Sequence, residues 1–243
     1  MIDFIIVSNA ATPELAAITQ LCIDSLFSSD PRSEADFHVT MVESTPGIRW
    51  KRSWLDGEDP NVGTIYTDGD FNYHRFLNQG YKARKTDADL LCFANNDLRF
   101  HPTWWSHMVK AIAHLPHVGS FSPICPLTQP QYGIHVNTGC HFGYRIRYEV
   151  SGWCLIMRKS TYLAMGGFDE RFVYWYTDND YATTLESLGI KHCLVTDSVV
   201  QHHTESVGKT SKHAFTPERK DGRTLHDITY GAKAVYDAKW GAK

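Results

Sequence analysis

No apolar run in this 243-residue chain approaches the ~20 residues that span a bilayer, which argues against a membrane-embedded protein. A secretory signal is also missing. Met1-Ile2-Asp3 leads straight into a strand-like run, without a charged n-region or a cleavage site. Excess positive charge is absent too. A formal net charge of -3 and a pI of about 6.5 provide no global basic field for nucleic acid or membrane. The cysteines (Cys22, Cys92, Cys125, Cys140, Cys154 and Cys193) include no C-x-x-C pair, so neither a zinc site nor a disulfide framework is expected. Buried free thiols in a reducing cytoplasm are the expectation instead. There is no G-x-G-x-x-G, no P-loop lysine motif and no G-x-S-x-G elbow. Dinucleotide, P-loop and serine-hydrolase chemistry are therefore poorly supported. Internal repeats, low-complexity tracts and dividing linkers are lacking, which favours one domain. What remains, 42% hydrophobic and 21% charged residues, is the composition of a soluble globular protein.

The pattern along the chain alternates strands and helices. Phe4-Ile5-Ile6-Val7 reads as a buried strand, followed by the loop Ser8-Asn9-Ala10. Thr12 and Pro13 then suit a helix start, and Leu15, Ile18, Leu21, Cys22 and Leu26 give it one apolar face to about Phe27. Phe37 to Val42 is the next strand, so the chain opens β-α-β and implies a parallel sheet. A short strand at Gly63 to Tyr66, a helix from Phe71 to Ala83 and a strand from Asp89 to Ala94 follow. Further on come a helix from His101 to about His114 and a strand from Val118 ending at Pro123. Ile124 to Tyr144 is loop-rich. A strand at Cys154 to Met157 and a short helix closed by Gly166-Gly167 come next. The remainder is a helix from Asp178 to Leu188, strands at Ile190 to Val195 and Ser198 to Val200, and a last helix from Thr224 to Trp240.

Three groups of residues could carry chemistry. Ala94-Asn95-Asn96-Asp97 ends an apolar strand in amide and carboxylate side chains, at the sheet edge where open α/β sheets bind ligands. A hard divalent cation holding a pyrophosphate wants one or two carboxylate oxygens, and Asp97 is placed to supply one; Asn and Asp are also ordinary turn residues. Asp169-Glu170 and Asp178-Asn179-Asp180 flank the aromatic run Tyr174-Trp175-Tyr176. Acids at a helix start serve capping and the dipole. Beside aromatic rings they also suit a sugar site, where a carboxylate takes a hydroxyl proton. His202-His203 ends a strand, so the two imidazoles point to opposite sides and at most one faces the site.

In this order the parts resemble the family 2 glycosyltransferases of the GT-A fold, over about Phe4 to Ser206. Phe71-Asn72-Tyr73 with Asn78-Gln79-Gly80 looks like the family's F-N-x…N-x-G helix. Leu90 to Asp97 looks like the strand that ends in a D-x-D-type metal motif. Gly152 to Arg158, then Gly166-Gly167-Phe168-Asp169-Glu170-Arg171-Phe172, looks like the acceptor-side strand and its G-G-F-D-E-x-F turn. Thr177 to Asp180 looks like E-D-x-D, and His202 falls where many members carry a metal-binding His.

The resemblance implies a single Rossmann-like GT-A domain over 1–208, with a mixed, mostly parallel central sheet flanked by helices. A basic loop and helix at 209–243 would pack on the same domain. It implies that Asp97 and His202 (His203 as the fallback) bind Mn²⁺ or Mg²⁺ and that Asp178 is the general base. Ser8, Asn9 and Glu43 would hold the nucleotide base and ribose. Asn72, Asn95, Asn96, Gly152 and Trp153 would touch substrate, and Asp169 and Glu170 would shape the acceptor pocket. Asn95 and Thr177 stand where the family has acids, and Glu43-Ser44 where D-D or D-G-S is common.

The activity implied is inverting, metal-dependent transfer of a sugar from a nucleotide-diphosphate sugar to an acceptor hydroxyl. The alternative is a non-catalytic GT-A relic that binds nucleotide-sugar or carbohydrate. A sugar-1-phosphate nucleotidyltransferase would need a Gly-rich basic loop after the first strand, which is absent. The acceptor stays open among a glycan, a protein and a modified nucleic-acid base. Lys209, Lys212, Arg219, Lys220 and Arg223 would suit an anionic one, and Ser206, Lys209 and Lys212 could meet phosphate oxygens, although a charged tail is more often solvated.

Overall fold

Buried apolar runs and one-sided helices set the architecture of the chain, whose computed structural model describes residues 1–30, 37–45, 59–67, 69–203 and 221–241. Ser206, Lys209, Lys212, Arg219 and Lys220 lie outside the described residues. Strand β1 (Ile2–Ser8) is buried along its whole length. Helix α1 (Pro13–Ser28) starts where Thr12 Oγ1 accepts from the Leu15 amide at 3.3 Å, and it buries Leu15, Thr19, Cys22 and Leu26 on one face. Strands β2 (Phe37–Glu43) and β3 (Val62–Tyr66) follow. Helix α2 (Tyr73–Ala83) begins two residues later than its sequence suggests, because Asn72 Oδ1 caps it through the Arg75 amide at 2.9 Å.

Strands β4 (Leu90–Asn95) and β5 (Leu98–Phe100), helix α3 (Trp104–His114) and strand β6 (Ser120–Ile124) come next. The loop-rich stretch holds a 3₁₀ turn (Gln129–Tyr132) and β7 (Cys140–Phe142). The chain continues through β8 (Cys154–Arg158), α4 (Lys159–Met165), α5 (Thr177–Ser187), β9 (His192–His202) and α6 (Leu225–Trp240). The expected strands at 190–195 and 198–200 are therefore one strand. The expected stop at Pro123 is instead a register shift, with Pro123 opposite Val195 and Ile124 opposite Val199. Proline has no N–H for the ladder, so the irregularity falls there.

The nine-stranded sheet runs β3-β2-β1-β4-β8-β6-β9-β5, with β7 beside β9. Strands β1, β2, β3, β4, β6 and β9 share one direction, and β5, β7 and β8 oppose it. This bears out the mixed, mostly parallel sheet. Alternate residues feed two cores. Ile2, Phe4 and Ile6 of β1 with Cys92 and Ala94 of β4 face α1 and α3. Ile5, Val7, Leu91 and Phe93 face α2, α4 and α5. Covering both faces is what a largely parallel sheet requires. Helix α2 sits especially close: a β-carbon on Gly80 would lie 2.4 Å from Ile5 Cγ2. Five cysteines are buried and free and Cys140 is exposed and free. Among the described residues no helix is long and apolar enough to cross a membrane.

Candidate active site

A cavity of about 510 Å³ opens where β1 and β4 end side by side. Ser8, Asn9, Asn95, Asn96 and Asp97 line it from those strand ends. Buried hydrogen bonds fix this rim. Ser8 Oγ lies 3.2 Å from Thr19 Oγ1, which accepts from Asn96 Nδ2 at 2.7 Å. Asn9 Oδ1 accepts from Thr45 Oγ1 at 3.0 Å, and Asn95 Oδ1 accepts from Tyr73 Oη at 2.8 Å.

Asp97 and His202 meet because β5 pairs with β9, setting Leu98 opposite His202. His202 Nε2 lies 3.2 Å from Asp97 Oδ1. Trp153 stacks on the imidazole at 5.1 Å between ring centres with planes 2° apart, which fixes its orientation. His202 lines the cavity and is buried, whereas His203 is exposed on the other side of the strand. One carboxylate and one imidazole side by side on a cavity wall suit Mg²⁺ or Mn²⁺, which keep waters and take phosphate oxygens. Among the described residues no group of three or more His, Cys, Asp or Glu side chains could hold a metal ion. A cation held here would thus take its other ligands from substrate and water.

Asp178 enters the same cavity from the first turn of α5. Tyr176, just before that helix, holds a left-handed backbone with φ of 63°. Gly152 makes room for the acid, since a β-carbon there would lie 2.7 Å from Asp178 Cβ. Burial pushes the Asp178 carboxyl above the ordinary carboxylate range, against the opposing pull of the Asn179 amide and the Arg147 charge. Tyr174 senses both acids. Its hydroxyl is pushed up by burial and then by the negative charges of Asp97 and Asp178. Phe71, Tyr73, Tyr132, Trp153, Tyr174, Trp175 and Tyr176 give the cavity an aromatic wall. Flat apolar faces with a few convergent polar groups form the kind of surface that receives a small polar ligand.

Four of the expected substrate residues are not brought to the cavity. Glu43 is buried between strand ends, accepting from the Ala10 and Thr45 amides at 3.1 and 2.8 Å. Asn72 caps α2 and donates to the Glu170 carbonyl at 2.8 Å. Asp169 pairs with Arg171 and Lys239, and Glu170 Oε1 accepts from Asn78 Nδ2 at 3.0 Å. The motifs that contain them bind each other. Asn78 donates to the Phe168 carbonyl at 2.9 Å and accepts from its amide at 3.0 Å.

The cavity also holds residues that the sequence reading did not select: Tyr73, Thr128, Gln131, Tyr132 and Arg147. Tyr73 is the neighbour of the residue chosen, one step round the helix. Thr128, Gln131 and Tyr132 come from the loop-rich stretch and Arg147 from the turn just after it, where no periodic signal marks them.

Strand order and the solved structures that superpose on it define the fold: the chain has the GT-A fold. GalNAc-T7, solved with UDP, GalNAc and Mn²⁺, superposes with a TM-score of 0.65 at 11% identity, over 83% of this chain and 43% of that one. S. aureus TarS 1–349 superposes with a TM-score of 0.61 at 13% identity, over 86% of this chain and 62% of that one. TarS in complex with UDP-GlcNAc gives 0.60 at 13% identity, over 82% and 57%. Among curated proteins, the O-antigen biosynthesis protein RfbC of Myxococcus xanthus is 28% identical over 60% of this chain. The chain covers only 13% of that protein's length. No family model matches the chain.

Proposed function

We propose that this chain is an inverting glycosyltransferase that moves a sugar from a nucleoside-diphosphate sugar to an acceptor hydroxyl, with a divalent cation at Asp97 and His202. The observation that carries the reading is that Asp97 and Asp178 line one aromatic-walled cavity at the ends of β1 and β4. The UDP and UDP-GlcNAc of the solved neighbours make uridine-diphosphate sugars the first donors to test.

Ser8, Asn9, Asn95 and Asn96 would orient the nucleotide and sugar by hydrogen bonds from the rim, and the aromatic wall would stack on sugar faces. A bound cation would neutralise charge on the departing diphosphate. Asp178 takes the proton of the acceptor hydroxyl as that oxygen attacks the anomeric carbon. The new C–O bond forms as the bond to the diphosphate breaks, and the carbon inverts. The raised basicity of Asp178 suits this proton transfer. Its five buried free thiols fit a reducing compartment, and we take the cytoplasm as the place of action.

The test is release of free nucleoside diphosphate from a panel of nucleotide-sugars with Mn²⁺. Asp97→Ala and Asp178→Ala should each lower release by on the order of 10²-fold or more, and only Asp97→Ala should weaken donor binding. Full activity in both variants would overturn the assignment. Donor binding without release in the unaltered protein would favour the binding-only alternative.

A further inference from the structure

Asp180, the second acid of the Thr177–Asp180 motif, does not line the cavity. Its Oδ1 instead receives Lys239 Nζ at 2.8 Å and Trp240 Nε1 at 2.8 Å, both from the last turn of α6. Lys239 also reaches Asp169 Oδ2 at 2.9 Å. One ammonium thus ties the 166–173 turn to the start of α5. Two more contacts run along α6. Tyr236 Oη lies 2.6 Å from Thr183 Oγ1, and its ring packs on Tyr176 at 5.4 Å. Ile228 packs with Val173 and Tyr174.

These contacts fall on residues 169–183, the stretch that sends Tyr174, Trp175, Tyr176, Thr177 and Asp178 into the cavity. The stretch carries backbone strain at Tyr176, which persists only where surrounding structure holds it. Lys239 is 22% exposed and Asp180 4%, so this is a largely buried ion pair. Removing Lys239 leaves the buried Asp180 carboxylate without its cation.

We propose that Lys239 and Trp240 are positioning residues, which act through Asp180 to fix the start of α5 so that Asp178 meets the acceptor. The catalytic half of the statement rests on the glycosyltransferase reading, and the positioning half does not. The test uses Lys239→Met, Trp240→Phe and Lys239→Arg in the full chain, with two readouts. In hydrogen exchange, Lys239→Met and Trp240→Phe should speed amides 174–180 by at least about tenfold and leave β1 and β4 unchanged. In nucleotide-sugar turnover they should lower kcat by at least about tenfold, with donor KM within about twofold. Lys239→Arg should restore most of both.

Trp240→Phe deletes one hydrogen bond and leaves an aromatic ring in place of the indole, so it serves if Lys239→Met fails to fold. Unchanged exchange at 174–180 would overturn the proposal, as would kcat and KM moving together. If the unaltered protein turns over no donor while exchange responds as expected, the glycosyltransferase reading falls and the positioning stands.

Discussion

Gly152 and Asp178 touch so closely that one methyl group would displace the carboxylate proposed as the general base. With a β-carbon 2.7 Å from Asp178 Cβ and 3.1 Å from Oδ2, Gly152→Ala must move the acid. A displacement of about an ångström costs on the order of 10²-fold in rate. Steady-state kinetics should show that loss in kcat, while donor-induced thermal shifts stay as in the unaltered protein. A second outcome follows from charge. Burial raises the Asp178 carboxyl, so the folded state holds that proton more tightly than the unfolded chain does. Stability therefore falls as pH rises from the unfolded carboxyl's range through the raised value, and the cost is fully present above it. Asp178→Asn should raise Tm by about 2–4 °C for each kcal/mol recovered. The gain should shrink toward acid pH, and transfer should be lost. In the unaltered protein, transfer should fall as pH drops through that same raised value. Asp97, Asp178 and His202 were legible in the sequence because each sits in a motif at the end of a strand or the start of a helix. Arg147 was not. Its place in the cavity follows from a left-handed turn, φ 70°, braced by the Arg145–Glu149 ion pair, and no local pattern announces that.

Between elements, the strongest sequence motifs prove to be joints. Asn78 of α2 holds both backbone groups of Phe168 and accepts from Tyr162 Oη at 2.9 Å. His74 Nδ1 lies 2.8 Å from the Asp169 carbonyl, and the Tyr73 amide donates to the Val173 carbonyl at 2.7 Å. These bonds lay residues 166–173 along α2 and aim the chain at the cavity. Asn78→Ala would leave the buried amide and carbonyl of Phe168 without their partner. At about 1–3 kcal/mol for each of the two stranded groups, the expected loss is about 2–6 kcal/mol. Urea unfolding should report it as a lower midpoint with an unchanged slope. Element types were readable from periodicity and caps, as with Thr12 before α1. Boundaries were less so. Asn72 looked like a ligand group because polar side chains at a strand-to-helix turn serve both capping and binding.

At the scale of the whole molecule, the site sits where the sheet divides. From β1 the chain passes to β2 on one side, and β4 lies on the other, which opens a crevice at their carboxyl ends. The β-α-β opening made the parallel half of this arrangement legible. The placement of antiparallel β8 between β4 and β6 was not, since its pairing with β4 joins residues sixty or more positions apart, as in Leu91 opposite Met157. That non-local pairing is what brings Gly152, Trp153 and Asp178 over the strand ends carrying Asp97. The two halves should therefore respond together to a ligand that spans them. If a cation is held at Asp97 and His202 as proposed, a nucleoside diphosphate and Mn²⁺ should bind far better jointly than separately. At a hundredfold excess over Kd, binding adds about 2.7 kcal/mol, or about 5–11 °C in Tm for a chain of this size. A thermal-shift series should show that gain with UDP plus Mn²⁺, most of it lost on adding EDTA or in Asp97→Asn. A gain that survives both would place the diphosphate away from Asp97 and remove the cation from the site.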